Sequence, residues 1–160
     1  MTSTGTVAAA KSSANISYDR PSKRVTIEGR YEFPIFYEDT DLSGYVYHAN
    51  YLKFFERARS SILGVERIRD LYEKGAHFVV AEANLRYRKP SFYGDTLVVT
   101  TDLTFTESPK TRVTHHVFRQ GQEKPAVTGF VDLVLVNEKG APLPPPPFFF
   151  EEFHGFETSC

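Results

Sequence analysis

The sequence predicts an α+β fold in which an antiparallel sheet of about five strands packs against one long helix. The first observation is an amphipathic segment, Asn50–Leu63, whose apolar side chains recur at helical spacing. The second is the stretch from Phe78 to Val136, where apolar segments follow one another across short turns. A helix followed by tightly connected strands favours an antiparallel sheet with the helix on one face.

The residues before the helix contribute one further strand. Residues 1–25 lack hydrophobic periodicity, which predicts a disordered N-terminal tail. Arg30–Tyr37 alternates apolar and polar side chains and is predicted to be a strand. Because Pro34 would interrupt the hydrogen-bond ladder, we expect this strand at an edge of the sheet. Residues 38–47 contain Asp, Ser and Gly and are typical of a loop.

Gly64 marks the end of the long helix, and a shorter helix is predicted at Glu66–Lys74. Four strands are predicted after it, at Phe78–Arg88, Leu97–Phe105, Thr111–Arg119 and Val127–Val136. The last is the most continuously apolar and is therefore expected in the interior of the sheet. Because Pro144–Pro147 cannot join a ladder, we expect one domain at residues 26–147 and a C-terminal tail at residues 148–160.

Composition narrows the function classes. The chain has 160 residues, which suits a single domain. Its 19 Lys and Arg against 20 Asp and Glu give a net charge of −1, without the basic excess that drives nucleic-acid binding. Cys160 is the only cysteine, which excludes an internal disulfide and a cysteine metal site and fits a reducing, cytoplasmic location. No apolar run approaches the roughly 20 residues that span a bilayer, so we expect no membrane span.

The common catalytic templates are missing from the sequence. It contains no Gly-x-Ser-x-Gly nucleophile elbow, no phosphate-binding loop and no His-Glu-x-x-His zinc motif. His115 and His116 are neighbours in a predicted strand and point to opposite faces, so they are interpreted as ordinary strand residues. We therefore predict neither a metal nor a cofactor.

The loop before the long helix remains as the candidate site. Asp39 and Asp41 lie two residues apart, Gly44 allows a tight bend, and the helix begins around His48. Free N–H groups at a helix start can polarise a thioester carbonyl, and a nearby carboxylate can attack it or activate a water. The pattern alone leaves two alternatives open, namely capping and turn chemistry, and a calcium loop that lacks its usual glutamate.

The stretch from Tyr37 to Arg59, YEDTDLSGYVYHANYLKFFERAR, closely resembles the motif of the 4-hydroxybenzoyl-CoA thioesterase family. It is most similar to the YbgC-type acyl-CoA thioesterases, a branch often associated with the Tol-Pal system. The similarity continues at Tyr87–Pro90 and Tyr93–Leu97 and covers roughly residues 33–147. The resemblance implies a hotdog fold, in which a curved antiparallel sheet wraps around one long helix, and assembly as a homodimer or a dimer-of-dimers tetramer.

The resemblance also implies a catalytic site. Asp41 matches the catalytic aspartate of the family, which acts as a nucleophile or general base, and Gly44 matches the glycine of the catalytic turn. His48 matches the residue whose backbone N–H polarises the thioester carbonyl. The family relies on the amide at this position rather than on the imidazole.

Substrate contacts are implied at four residues. Tyr47 lies where the family places an aromatic wall beside the acyl group, and Tyr45 hints at a pocket of limited size. Lys110 and Arg112 are the candidates for contacts with the phosphates of CoA, because the family holds them with basic residues near a turn between later strands.

Glu56 on the long helix is a rival for the catalytic role. Another branch of hotdog enzymes uses a carboxylate on this helix, and Glu56 lies two turns after His48. The alternative interpretation is an ion pair with Arg59 or with a neighbouring strand.

The expected function is hydrolysis of an acyl-CoA to the free acid and CoA. One alternative is the release of an acyl chain from an acyl carrier protein, and another is a non-catalytic module that binds acyl-CoA or serves as an envelope scaffold. A dehydratase of the same fold is less favoured, because its pattern of a histidine and an acid is not found. The resemblance implies that a neighbouring subunit completes each site, and the long apolar strands offer an edge for pairing with a second copy.

Overall fold

The computed structural model describes residues 10–158, which form one antiparallel sheet of six strands rather than the predicted five. In chain order the strands are β1 Lys11–Asp19, β2 Arg24–Pro34, β3 Ala76–Tyr87, β4 Thr96–Phe105, β5 Lys110–Arg119 and β6 Val127–Asn137. Their order across the sheet is β1-β2-β4-β5-β6-β3. The β6 strand is therefore interior, as predicted, while β1 and β3 form the two edges.

Within the described residues three α-helices accompany the sheet, namely α1 Asn50–Leu63, α2 Val65–Glu73 and α3 Pro147–Glu151. The bounds of α1 agree with the prediction, and the chain leaves this helix at Gly64, whose φ of 89° lies in the left-handed region. The α2 helix agrees with the shorter predicted helix to within one residue at each end. Between residues 10 and 158, no helix has both the length and the apolar character needed to cross a membrane.

The α1 helix buries one face against the sheet. Phe54, Phe55, Ala58 and Ile62 recur at helical spacing, and all four are buried. At Gly29 of β2 the helix comes so close that an added Cβ atom would overlap Cγ2 of Ile62. Truncating a buried phenylalanine to alanine typically costs about 3–5 kcal/mol. Burial of Phe54 and Phe55 is therefore a large part of what holds α1 against the sheet.

The N-terminal prediction needs correction. Residues 11–19, expected within a disordered tail, form β1 and pair with β2 along their whole length. Few side chains of β1 are buried, although Tyr18 packs against Phe150 with ring centroids 6.4 Å apart. Backbone pairing with β2, rather than an apolar pattern of its own, therefore accounts for this strand. The part of the predicted tail at residues 1–9 lies outside the described residues.

The predicted edge position of the strand around Pro34 is also wrong. The β2 strand begins at Arg24, six residues earlier than expected, and has β1 and β4 as neighbours on its two sides. Pro34 is its last residue, where a missing N–H donor disturbs the ladder least. The chain then turns into a short 3-10 segment, Tyr37–Asp39, so Tyr37 is not part of the strand.

The C-terminal residues, predicted to be a tail from residue 148, instead complete the core. Pro147 is the first residue of α3, a position where proline fits because its missing N–H would be unpaired anyway. Phe149, Phe150 and Phe153 are buried. The ring of Phe149 meets Phe105 of β4 edge-on, with centroids 5.0 Å apart. Three phenylalanines in the core explain why this segment folds back on the sheet.

The β3 strand forms the edge opposite to β1. It pairs with β6 through a register shift between Val80 and Glu82. Its other side has no partner strand within residues 10–158, and it leaves Val79 and Val80 39% and 56% exposed. A long apolar edge of this kind offers unpaired backbone groups to another chain.

Candidate active site

The loop between β2 and α1 folds back on itself at its tip. Thr40 and Val46 form an isolated antiparallel bridge, and the N–H of Asp41 donates to the carbonyl of Tyr45 at 2.9 Å. The N–H of Gly44 returns to the carbonyl of Asp41 at 3.0 Å, with a φ of 83° that favours glycine. Asp41 therefore lies at the start of a tight turn that fixes its backbone.

The carboxylate of Asp41 is exposed and held by one neighbour. Its Oδ1 accepts a hydrogen bond from the N–H of Ser43 at 2.8 Å, and another from the Ser43 hydroxyl. These two bonds, the hydroxyl first and the amide second, lower the pKa of Asp41, and the charge of His48 contributes a little more. Asp41 is thus an ionised carboxylate at neutral pH, with oxygen lone pairs still open to solvent.

The start of α1 is tied to the same loop through Asp39. The carbonyl of Asp39 accepts the N–H of Tyr47 at 2.8 Å and the side-chain amide of Asn50 at 3.2 Å. Its carboxylate accepts the N–H of Phe36 at 2.9 Å. Asp39, a candidate site residue in the sequence, is therefore occupied in holding the loop, and it does not line the cleft described next.

Asp41 and the helix start open on a common cleft of about 310 Å³. Its walls are formed by Asp41, Tyr45, Val46, His48, Tyr51, Tyr87, Arg88, Lys89 and Pro90. The N–H of His48 has no hydrogen-bond acceptor among residues 10–158. Asp41, an ionised carboxylate, and His48, whose N–H is unpaired among these residues just before α1, therefore line one cleft with aromatic walls and two cations.

Tyr87, at the end of β3, fixes the helix start from the other side. Its hydroxyl donates to the carbonyl oxygen of His48 at 2.9 Å, and its ring meets the imidazole of His48 edge-on. Burial raises the pKa of Tyr87, so its hydroxyl stays protonated and remains a donor. The carbonyl of the His48 peptide group is thus held by the end of β3.

Of the predicted substrate contacts near the helix, Tyr45 lines the cleft and Tyr47 does not. The ring of Tyr47 lies 4.5 Å from the imidazole of His48 and is 43% exposed, so it flanks the helix start from outside. Sequence reasoning did not single out Arg88 and Lys89 as cations of the cleft. Both precede Pro90 in the segment after β3. In the sequence this segment carries only the family resemblance, and no pattern there indicates a cation site.

Lys110 and Arg112, the predicted phosphate contacts, lie away from this cleft. Arg112 forms a two-pronged ion pair with Asp132, at 2.8 and 3.0 Å, and Lys110 reaches the same carboxylate at 3.3 Å. The guanidinium of Arg112 also lies 3.8 Å from the ring centre of Phe130. These bonds, that of Arg112 first, lower the pKa of Asp132, whose side chain is buried.

Glu56, the rival catalytic residue, is also absent from the walls of the Asp41 cleft. It accepts a hydrogen bond from the hydroxyl of Ser60 at 2.6 Å. It lines a second cavity, enclosed by α1, α2 and the start of β3, to which Leu63, Ile68 and Phe78 also contribute. Within one chain, the carboxylates of Glu56 and Asp41 therefore serve different cavities.

The chain is similar in sequence to known thioesterases. Residues 37–153 match the thioesterase-like superfamily. Over 121 residues the chain is 30% identical to a 1,4-dihydroxy-2-naphthoyl-CoA hydrolase of Thermosynechococcus vestitus, covering 72% of this chain and 83% of the relative. It is 36% identical over 77 residues to the acyl-CoA thioester hydrolase YbgC of Escherichia coli O6:H1, covering 47% and 58%.

A solved structure, a probable thioesterase from Bartonella henselae, is 31% identical and superposes with a TM-score of 0.61 over 73% of this chain and 96% of the other. The resemblance inferred from residues 37–59 is thereby confirmed. The chain belongs to the thioesterase-like superfamily.

Proposed function

We propose that this protein hydrolyses acyl-CoA thioesters to the free acid and CoA, with Asp41 as the reacting carboxylate. The observation that carries the proposal is that one cleft is lined by Asp41 and by His48, whose N–H has no acceptor among residues 10–158. The relatives support the substrate class, because two of them are named as hydrolases of CoA thioesters. Acyl groups on a carrier protein are the alternative substrate.

The roles follow from the two groups. The thioester carbonyl oxygen accepts the His48 N–H, which stabilises the negative charge of the tetrahedral adduct. Asp41 then either attacks the carbonyl carbon, giving an anhydride that water cleaves, or takes a proton from the attacking water. In both routes the carbon–sulfur bond breaks and the thiolate leaves. The net reaction consumes one water and returns one proton to the thiol.

Charge at the cleft suits a phosphate-bearing substrate. Arg88 and Lys89 line the cleft itself and are the nearer candidates for the CoA phosphates. Lys110 and Arg112 remain candidates because their side chains are 57% and 53% exposed, although Asp132 occupies part of their hydrogen-bonding capacity. Guanidinium and ammonium groups are the usual protein partners of phosphates.

The test is thiol release by purified wild-type and Asp41→Asn protein across a panel of acyl-CoA chain lengths. Asp41→Asn keeps an acceptor for Ser43 but loses the negative charge, so turnover should be largely lost. Glu38→Gln is the matched control, because Glu38 is an exposed carboxylate of the same loop outside the cleft. Wild-type rates in Asp41→Asn would disprove the role of Asp41. Activity only on acyl groups bound to an acyl carrier protein would mean that these, and not acyl-CoA, are the substrates.

We further propose that two chains form each working site through the β3 edge. A two-fold axis pairs a strand with itself in antiparallel fashion, so the end of β3 in one copy meets its start in the other. Tyr87 at the end of β3 lines the Asp41 cleft, whereas Phe78 and Val80 near its start line the second cavity. Such pairing would bring the cleft of one copy beside the second cavity of its partner.

Light scattering on an edge variant tests this assembly. Val80→Lys places a charge on the exposed β3 edge, which should give a monomer with little activity. Ser13→Lys makes a similar change on the opposite edge, β1, and should leave both mass and activity as in the wild type. A fully active monomeric Val80→Lys protein would exclude the shared site, but it would leave the thioesterase assignment intact.

A further inference from the structure

The second cavity has a volume of about 520 Å³, and its charged lining residues are Glu56, Arg59 and Arg69, of which only Arg59 is buried. Its apolar side chains are Leu63, Val65, Ile68, Phe78, Val80 and Leu133. Arg59 of α1 also lines it and is only 8% exposed. A buried guanidinium in an apolar cavity is costly unless an anion or several acceptors satisfy it.

The partners of Arg59 leave its charge uncompensated. Its one hydrogen bond among residues 10–158 joins Nη1 to Nε2 of His115 at 3.4 Å, and no carboxylate of this region lies within ion-pair distance. Burial lowers the pKa of Arg59, and the charge of Glu56, one turn earlier, offsets that effect only in part. However, Glu56 is exposed and is bonded by Ser60, so water screens its charge.

His115 accepts a hydrogen bond from Arg59 but does not offset its positive charge. It is fully buried and stacks on Phe55 with ring centroids 4.3 Å apart. Burial and the nearby charge of Arg59 lower its pKa to about 3, so the imidazole is neutral at physiological pH. Its Nδ1 lies 2.9 Å from the hydroxyl of Thr101, which leaves Nε2 to accept from Arg59. The guanidinium is thus positioned by a neutral acceptor and keeps its remaining N–H groups for a ligand.

We propose that Arg59 binds a carboxylate at the far end of the acyl group, so that the preferred substrates are CoA thioesters of dicarboxylic acids. An apolar chain that ends in an anion matches a cavity with apolar walls and one largely buried cation. This inference rests on the proposed acyl-CoA hydrolysis and on the pairing that brings the cleft of one chain beside the second cavity of its partner. The distal carboxylate takes no part in the bond changes at the thioester.

Binding to the Asp41→Asn protein tests the inference without turnover. Calorimetry compares three pairs of equal chain length: succinyl-CoA with butyryl-CoA, adipoyl-CoA with hexanoyl-CoA, and suberoyl-CoA with octanoyl-CoA. We expect the dicarboxylic member to bind about tenfold or more tightly at one length at least, because a desolvated charged hydrogen bond is involved. Arg59→Met, which keeps much of the side-chain bulk, should remove that preference. Arg59→Lys should retain part of it.

The outcomes separate the two proposals. If no thioester is hydrolysed by the wild type but the binding preference for dicarboxylic thioesters holds, the proposed function fails and the binding site stands. If hydrolysis occurs but no length favours the dicarboxylic member, the Arg59 site is wrong and the function stands. A preference that persists in Arg59→Met also overturns the site. If Arg59→Met does not fold, as judged by circular dichroism, the wild-type pairs and Arg59→Lys still decide.

Discussion

Asp41 and Asp132 are both aspartates whose pKa lies below the ordinary value, yet their surroundings differ in kind. Asp132 is buried on the interior strand β6, where Arg112 and Lys110 neutralise it. Asp41 is exposed on a loop, only Ser43 holds it, and no cation among residues 10–158 lies within ion-pair distance. A lowered pKa therefore does not by itself mark a reacting carboxylate. The difference is whether its oxygens face fixed partners or open space.

The largest expected contrast between the two aspartates is in activity. Asp41→Asn should lower kcat/KM for an acyl-CoA by roughly 10²–10⁴-fold, the usual contribution of a reacting acid or base. Asp132→Asn should stay near the wild-type value, because this residue lies outside the cleft. Thiol release under identical conditions measures both variants. Equal losses of kcat/KM would mean that the two carboxylates contribute alike to catalysis and would contradict the expected difference between them.

Stability should show the reverse contrast. Asp132→Asn loses charged hydrogen bonds to Arg112 and Lys110, so the free energy of unfolding should fall by about 2 kcal/mol. Asp41→Asn should leave it close to the wild-type value, since the site is exposed. Urea denaturation monitored by circular dichroism measures both.

Urea denaturation at several pH values tests whether the stability loss in Asp132→Asn comes from the lost charge. The pKa of Asp132 is lower in the folded protein than its unfolded value of about 3.9. Its contribution is therefore fully present above that pH and is lost as the pH falls through the folded value. The stability gap between wild type and Asp132→Asn should narrow in acid. A gap that does not depend on pH would point to lost packing rather than lost charge.

A smaller effect is expected from Arg112→Lys, which keeps the charge beside Asp132. Lysine cannot make the two-pronged contact at 2.8 and 3.0 Å, and it loses the planar contact with Phe130. We expect a loss in the free energy of unfolding that is smaller than that of Asp132→Asn, again measured by urea denaturation. A loss as large as that of Asp132→Asn would show that geometry rather than charge governs the cluster.

The smallest effect concerns Ser43→Ala, which removes the hydroxyl bond to Asp41 and leaves the bond from the backbone N–H. Because both bonds favour the carboxylate, the pKa of Asp41 should rise toward its ordinary value. The acidic limb of the pH profile of kcat/KM should move upward by less than about one pH unit. An unmoved acidic limb would mean that another group sets it.

The sequence predicts the elements whose own pattern suffices. The α1 helix was predicted at its observed bounds, because apolar periodicity and Gly64 mark both the element and its end. The β1 strand was missed because it is stabilised by pairing with β2, which no local pattern of Lys11–Asp19 reveals. The α3 helix was missed because the preceding prolines indicated a domain end, while burial of Phe149 is a tertiary effect.

The candidate site shows the same division. Asp41, Gly44 and His48 are close in sequence, so the loop motif could predict that they share one site. Lys110 and Arg112 carry the right charge, but Arg112 stands opposite Asp132 in the register of β5 and β6, 20 residues away. The pairing of Arg112 with Asp132 depends on the register of the two strands, which is known only from the folded sheet. The sequence therefore indicated available cations without indicating their partner.

The close approach of α1 to β2 at Gly29 has a mechanical consequence. Ile62 is β-branched and has little rotameric freedom within a helix, so any side chain at residue 29 would displace the helix itself. The helix is a stiff rod with Ile62 near one end and the start of the Asp41 cleft at the other. We expect a shift of α1 near Ile62 to be passed along the helix to its first residue, Asn50, and so to the backbone at His48 just before it. The lack of a side chain at Gly29 of β2 thereby helps to fix the position of the His48 amide at the opposite end of α1.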